Sequence, residues 1–148
     1  MSLHSPGASH ALVALQFASI GVCAIPFEHE AGRMAWLAVS LLGGLLGIYV
    51  LMHNRLGNFA VYPEPLETAR LVTSGPYRWI RHPMYTSLLL FMAGIVIYNN
   101  ALWNYLAFLT LCLAVLGKMQ REERYLLEKF EHYAAYRQDT HRLIPKVY

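Results

Sequence analysis

The sequence predicts an all-α, multi-pass membrane protein with about four transmembrane helices, a cytoplasmic polar loop and a C-terminal cytoplasmic amphipathic helix. Three observations carry that reading. Apolar residues make up 56% of the 148-residue chain and charged residues only 14%, far from the soluble average. The apolar residues fall in four blocks, with the charges almost confined to the gaps between them. Lys and Arg gather beside these blocks on one side, as membrane topology requires. The net charge of +3 is therefore a topology signal, and no nucleic-acid partner is expected. The whole chain, 1–148, reads as one domain in a lipid bilayer.

The first span runs over 11–27, apolar except for Gln16 and Ser19 and closed by Pro26. No Lys or Arg precedes it and no small-residue cleavage site follows, so it is expected as a retained span rather than a removable signal. Residues 1–10 look polar and poorly ordered, and Glu28-His29-Glu30 matches no metal-ligand spacing, so no metal site is expected. The second span, 34–52, carries Ser40, Gly43, Gly44 and Gly47 on one face. Small residues let helix backbones approach closely, either within the chain or on a second copy in a homodimer.

A polar connection of about 30 residues follows, from His53 to Pro83, containing Asn54-Arg55, Asn58-Phe59 and Pro63-Glu64-Pro65. A connection that long in so small a protein is often functional. Spans three and four, 84–98 and 101–117, are separated only by Asn99-Asn100, so they must form a tight antiparallel hairpin. Lys118 to Arg137 then reads as an amphipathic helix leaving the membrane, with Met119, Leu126, Leu127, Phe130 and Tyr133 at helical period. The tail around Leu143-Ile144-Pro145 reads as irregular. Arg55, Arg70, Arg78 and Arg81 precede span three, and most other basic residues follow span four. Only Arg33 lies opposite, which places both termini and the polar loop in the cytoplasm of a cell-membrane protein.

The stretch Leu71 to Tyr85 concentrates the chemistry. Ser74-Gly75-Pro76 is turn punctuation, and the residue before each proline is pushed away from helix. His82 should sit extended, with Pro83 in the first turn of the next helix. The hairpin returns span four to the surface that span three left, bringing Lys118, Glu122 and Glu123 close to Arg81, His82 and Tyr85. Two readings follow. The pocket suits a zwitterionic cofactor with a flat ring beside an apolar substrate. Alternatively, Arg81 and a glutamate form a structural ion pair pinning the loop to the last helix. Cys23 and Cys112 lie in apolar blocks and read as packing residues.

The run Leu71-Val72-Thr73-Ser74-Gly75-Pro76-Tyr77, the motif Arg81-His82-Pro83-Met84-Tyr85 and the pair Glu122-Glu123 resemble the isoprenylcysteine carboxyl methyltransferase family, over about 58–136. The resemblance implies a multi-pass membrane enzyme using S-adenosylmethionine. It further implies that Leu71, Val72, Tyr77, Arg81, His82, Pro83, Met84 and Tyr85 line the cofactor site, with Glu122 closing it. His82, Tyr85, Glu122 and Glu123 are the candidate catalytic residues, and Lys118 stands where the family has an arginine tied to substrate. Phe130-Glu131 departs from the family's Phe-Gly. The expected acceptor is a lipophilic or amphipathic molecule methylated at a carboxylate, thiol or amine. The competing reading is a non-catalytic membrane protein binding anionic lipid or a partner through its basic loop. A transporter is disfavoured, because no span carries a charge at its middle.

Overall fold

The structure is a computed structural model that describes residues 6–27, 33–54, 58, 60–64 and 67–147. Its elements are α1 (Pro6–Ala24), α2 (Leu37–Asn54), α3 (Pro83–Asn99), α4 (Leu102–Lys129) and α5 (Tyr133–Asp139). Single 3-10 turns occupy Arg33–Trp36 and Gly75–Arg78. There is no strand among the described residues, although Ile80 and His141 form an isolated parallel bridge. Three helical segments, Gly7–Ala24, Arg33–Asn54 and Leu102–Lys129, are long and apolar enough to cross a membrane. The fourth apolar helix, α3, has 17 residues. Glu28-His29-Glu30, Arg55, Phe59 and Pro65 lie outside the described residues.

The small-residue face of α2 is consumed within the chain. A Cβ on Gly43 would sit 2.9 Å from Ser87 O and 2.8 Å from Phe91 Cα, and one on Gly47 3.1 Å from Ser87 Oγ. From the other side, a Cβ on Gly94 would lie 2.6 Å from Ser40 N and from Trp36 O. Ser40 Oγ donates to Phe91 O at 2.8 Å across the same contact. The two backbones therefore meet almost directly, as small residues permit in an apolar medium.

The second pair is α1 on α4, and polar side chains lock it. Asn104, fully buried, donates through Nδ2 to Val22 O, Cys23 O and Ile25 O at 3.0, 3.1 and 3.0 Å. Asn99 donates to Cys23 O at 3.1 Å and Ile25 O at 3.3 Å. These amides take up carbonyls that the end of α1 leaves without intrahelical partners. Between the pairs, Cys23, Met92, Val96, Ala107, Leu111, Val115 and Met119 form the apolar core. The opposite faces are exposed and apolar, with Leu41, Leu45 and Ile48 on α2 and Leu106, Leu109 and Leu113 on α4.

Four expectations need adjustment. Helix α1 begins at Pro6, because Ser9 is buried and bonded to Glu64 and His10 stacks on Tyr62 at 4.8 Å. It ends at Ala24 rather than Phe27, where Pro26 turns the chain out of helix. The last span and the amphipathic helix are one helix. Nothing between Leu102 and Lys129 breaks it, and Gly117 inside it gives room for Leu12 of α1. The helix stops at Phe130, whose backbone is extended (φ −122°, ψ 114°), so Tyr133–Asp139 is a separate helix. Fourth, the helical hairpin forms at the expected place, through Asn100 in the left-handed region (φ 52°). Its helices nevertheless pack mainly on α2 and α1 rather than on each other.

Gly43→Ala must push α2 off α3 and should lower stability by about 1–3 kcal/mol. Gly21→Ala, whose added methyl meets nothing within 4 Å, should leave stability unchanged or slightly higher. Melting temperatures of the two variants in the same detergent distinguish them.

Candidate active site

The motif segment is fixed first by its backbone. Gly75 has φ 59°, and a Cβ there would strike the His53 ring 2.6 Å from Nε2, so glycine is required on both grounds. Pro76 follows in the 3-10 turn, and Ser74 Oγ lies 3.0 Å from His53 Nε2. His82, expected extended, instead caps α3 with φ −121° and ψ 56°, outside both the extended and helical regions, and Pro83 takes the first helical position. Arg81 N–H donates to His141 O at 2.7 Å, His82 N–H to Arg142 O at 3.0 Å, and His141 N–H to Trp79 O at 3.1 Å. The C-terminal tail thus pairs alongside the motif like a short strand.

The side chains converge on Glu123. Its carboxylate is only 4% exposed and receives Arg81 Nε at 2.9 Å, Arg142 Nη2 at 3.2 Å and His82 Nε2 at 3.4 Å, with Arg137 Nε at 3.8 Å. Arg81 also donates through Nη1 to Thr140 O and, at 3.1 Å, to Arg137 O. Glu122, one residue earlier, points elsewhere. It accepts from Tyr85 OH at 3.1 Å, lies 3.7 Å from His82 Nδ1, and keeps 32% of its side chain exposed. The imidazole of His82 stands between two carboxylates and against the Tyr85 ring, 5.6 Å away.

Above this cluster lies a cleft whose walls bound about 880 Å³, its open mouth included. Leu71, Val72, Tyr77, Arg81, His82, Pro83, Met84, Tyr85 and Glu122 all line it. Glu123 does not; it is the ion-paired base of the site rather than part of its wall. Lys118 also lies off the wall. It is buried beneath Tyr85, 5.6 Å from the ring centroid, and donates to Gln16 Oε1 at 2.7 Å and Val61 O at 2.8 Å. Both sequence readings of Arg81 are therefore partly realised: a pocket exists, and Arg81 is spent largely on the pin beneath it.

The cleft has a second half whose residues, all but Asn54, fall within the cofactor region expected at about 58–85 and 118–136 but were not singled out. Asn54, Asn58, Tyr62, Glu64, Tyr133 and Tyr136 line it too. Asn58 clamps the returning loop, donating to Arg70 O at 2.9 Å and accepting from Arg70 N–H at 2.8 Å. Tyr136 OH donates to Tyr77 O at 2.6 Å. The three-residue spacing of Tyr133 and Tyr136 was a usable signal, since it places both on one helical face. Nothing local marked Arg142 or Thr140. Burial pushes the Tyr77 phenol well up, with Glu122 adding to it, and burial pushes Tyr136 up to about 12. Both remain neutral hydroxyls. Burial would raise the Glu64 carboxyl, but bonds from Ser9, its own backbone N–H and Tyr125, with the charge of Arg121, hold it below the usual range. Among the described residues no group of three or more His, Cys, Asp or Glu is placed to hold a metal ion.

Among the described residues the architecture is helical, with apolar outer faces as in a membrane protein and a polar, aromatic cleft at one end. Residues 34–133 match the model of the phospholipid methyltransferase family, and the chain belongs to that family. The resemblance to the isoprenylcysteine carboxyl methyltransferases holds at this level. Among curated proteins, the chain is 32% identical over 124 residues to the cobalt-zinc-cadmium resistance protein CzcN of Cupriavidus metallidurans, covering 82% of this chain and 56% of that protein. It is 26% identical over 132 residues to the nickel-cobalt-cadmium resistance protein NccN of Alcaligenes xylosoxydans xylosoxydans, covering 87% and 61%. The chain thus spans a little over half the length of the curated relatives it matches.

The two glutamates should separate cleanly on mutation. Glu123→Ala strands the nearly buried Arg81 and should cost about 3–5 kcal/mol of stability. Glu122→Ala, at a partly exposed side chain, should cost about 1 kcal/mol or less. Thermal melting of each variant without ligand measures the difference.

Proposed function

We propose that this chain is a multi-pass membrane methyltransferase that moves a methyl group from S-adenosylmethionine to a lipophilic or amphipathic acceptor at the cytoplasmic face. In this reading α3 is a fourth crossing. At 1.5 Å per residue its 17 residues reach about 25 Å, short for a bilayer but workable with local thinning. The Lys and Arg side of the molecule, which holds the cleft, faces the cytoplasm.

One observation carries the proposal: the cleft joins the Arg81–Tyr85 motif to Glu122 across two elements far apart in sequence. The residues present fit the donor on chemical grounds. Glu122 offers a carboxylate bonded to the single hydroxyl of Tyr85 and partly open to the cleft, suited to an ammonium or to ribose hydroxyls. Tyr77, Tyr85, Leu71 and Val72 offer aromatic and aliphatic walls for a purine.

S-adenosylmethionine, when bound, supplies an electrophilic methyl on a sulfonium whose charge disappears on transfer. The chain's contribution is then placement and exclusion of water. His82, held between two carboxylates, orients the methionyl end from the floor. Arg81 supports the floor through Glu123, and so acts on the ligand less directly than the sequence suggested. A carboxylate or thiolate acceptor needs no base. An amine or thiol acceptor must lose a proton to a base. Glu123, surrounded by cations and off the wall, is a positioning residue.

Isothermal titration of the purified protein with S-adenosylhomocysteine tests the assignment. Binding by the unmodified protein is expected, weakened about tenfold or more in both His82→Ala and Glu122→Ala. Unchanged affinity in both variants would remove these residues from the site. Graded, interchangeable effects of Lys and Arg replacements with no nucleoside binding would favour the lipid-binding reading instead.

A further inference from the structure

The cleft has a wall that comes from outside its motif. Residues 60–64 cross from α2 toward the cleft, and Tyr62, Pro63 and Glu64 line it. What holds this segment is largely α1, which lies outside the 34–133 family match. Ser9, itself 1% exposed, donates through Oγ to Glu64 Oε1. His10 stacks on Tyr62, and Gln16, buried within the apolar first helix, holds Lys118, which in turn bonds Val61 O. The polar residues that interrupt the first apolar block therefore serve the far side of the cleft.

Glu64 is fastened asymmetrically. Its two side-chain partners, Ser9 and Tyr125 (3.3 Å), both bond Oε1, which leaves Oε2 without a side-chain partner among the described residues. The cations nearest the cleft floor are committed. Arg81 is bonded to Glu123 and Thr140, and the buried Lys118 to Gln16 and Val61. Glu64 and Glu122 both reach the cleft; of its lining cations Arg70 and Arg81, Arg81 is taken up by Glu123. Lys118 and Arg121 act on these carboxylates by charge without bonding Glu64 Oε2, so that oxygen stays available to a positively charged group. We propose that Glu64 is a further ligand-binding residue, presenting Oε2 to a cationic centre of the methyl donor, and that α1 is the element that positions it. The inference rests on the proposed methyl-donor function and adds to it a residue and a charge preference. A carboxylate anchored through one oxygen meets a sulfonium or ammonium without reorganising, which favours binding of the charged donor.

The test uses the full chain in detergent, titrated with S-adenosylmethionine, S-adenosylhomocysteine and 5′-methylthioadenosine, which lacks the amino-acid end. In Glu64→Gln the charged probe should bind about tenfold more weakly, and 5′-methylthioadenosine should be unaffected. A loss confined to S-adenosylmethionine identifies the sulfonium as the group held; an equal loss for S-adenosylhomocysteine identifies the ammonium. Glu64→Asp should recover part of the affinity, and Ser9→Ala should show a smaller loss with the same ligand pattern. A protein destabilised in general would instead lose all three ligands alike. Unaltered affinity for both amino-acid-bearing probes in Glu64→Gln overturns the proposal while leaving the methyltransferase reading intact. Failure of the unmodified protein to bind any of the three sinks both.

Discussion

A single carboxylate, Glu123, holds the functional end of this molecule together. Three guanidinium groups and an imidazole from three separate parts of the chain close around it: Arg81 and His82 from the motif, Arg137 from α5 and Arg142 from the tail. Each of those segments would otherwise have little reason to stay in place. The motif is a short stretch between two prolines with only a 3-10 turn at its start, and the tail has no helix or strand of its own. Pinning them to the end of a 28-residue helix converts loops into a rigid floor. The same contact frees Glu122, the adjacent residue, to face the cleft. Helical geometry makes this division natural, since neighbouring residues diverge by about 100° around the axis.

The helices deliver that arrangement by pairing in an order the hairpin alone does not dictate. Helix α3 lies chiefly on α2 through glycine and serine, and α4 lies chiefly on α1, where buried asparagines take up the last carbonyls. The N-terminal end of α1, the end of α2, the start of α3 and the end of α4 meet at one pole, which is where the polar residues collect. Among the described residues, α2 and α4 turn apolar side chains outward away from this pole. The cleft is therefore the place where backbone leaves helix, and a membrane-embedded chain must satisfy such backbone internally. The tail, Asn58 and Tyr136 do that work here.

Much of this was legible in the sequence, for identifiable reasons. Long apolar blocks, the Asn99-Asn100 turn and the Pro83 helix start are local signals with direct physical causes, and each element appears near its predicted place. Leu71, Val72, Tyr77, Arg81–Tyr85 and Glu122, grouped by the family resemblance, line one cleft. What escaped prediction was long-range. The onset of charge at Lys118 suggested a new helix, whereas only a breaker ends one, and none occurs before Phe130. Glu123 looked equivalent to Glu122 until packing showed which one faces inward. Lys118 was expected beside the motif at a substrate position, yet it lies off the cleft wall, and Gln16, more than 100 residues away, gives it a buried partner. Pairing of the tail with Trp79–His82 has no sequence signature, since only a backbone bridge and scattered arginines make it.

The dependence of the cleft on the buried ion pair can be measured through binding. A double-mutant cycle on Arg81→Ala and Glu123→Ala, read as S-adenosylhomocysteine affinity, asks whether the two residues act as one device. If the pair builds the floor of the site, the double variant binds no worse than the weaker single variant, because either change already releases the motif. Full additivity of the two losses would contradict this, showing that Arg81 and Glu123 reach the ligand by separate routes.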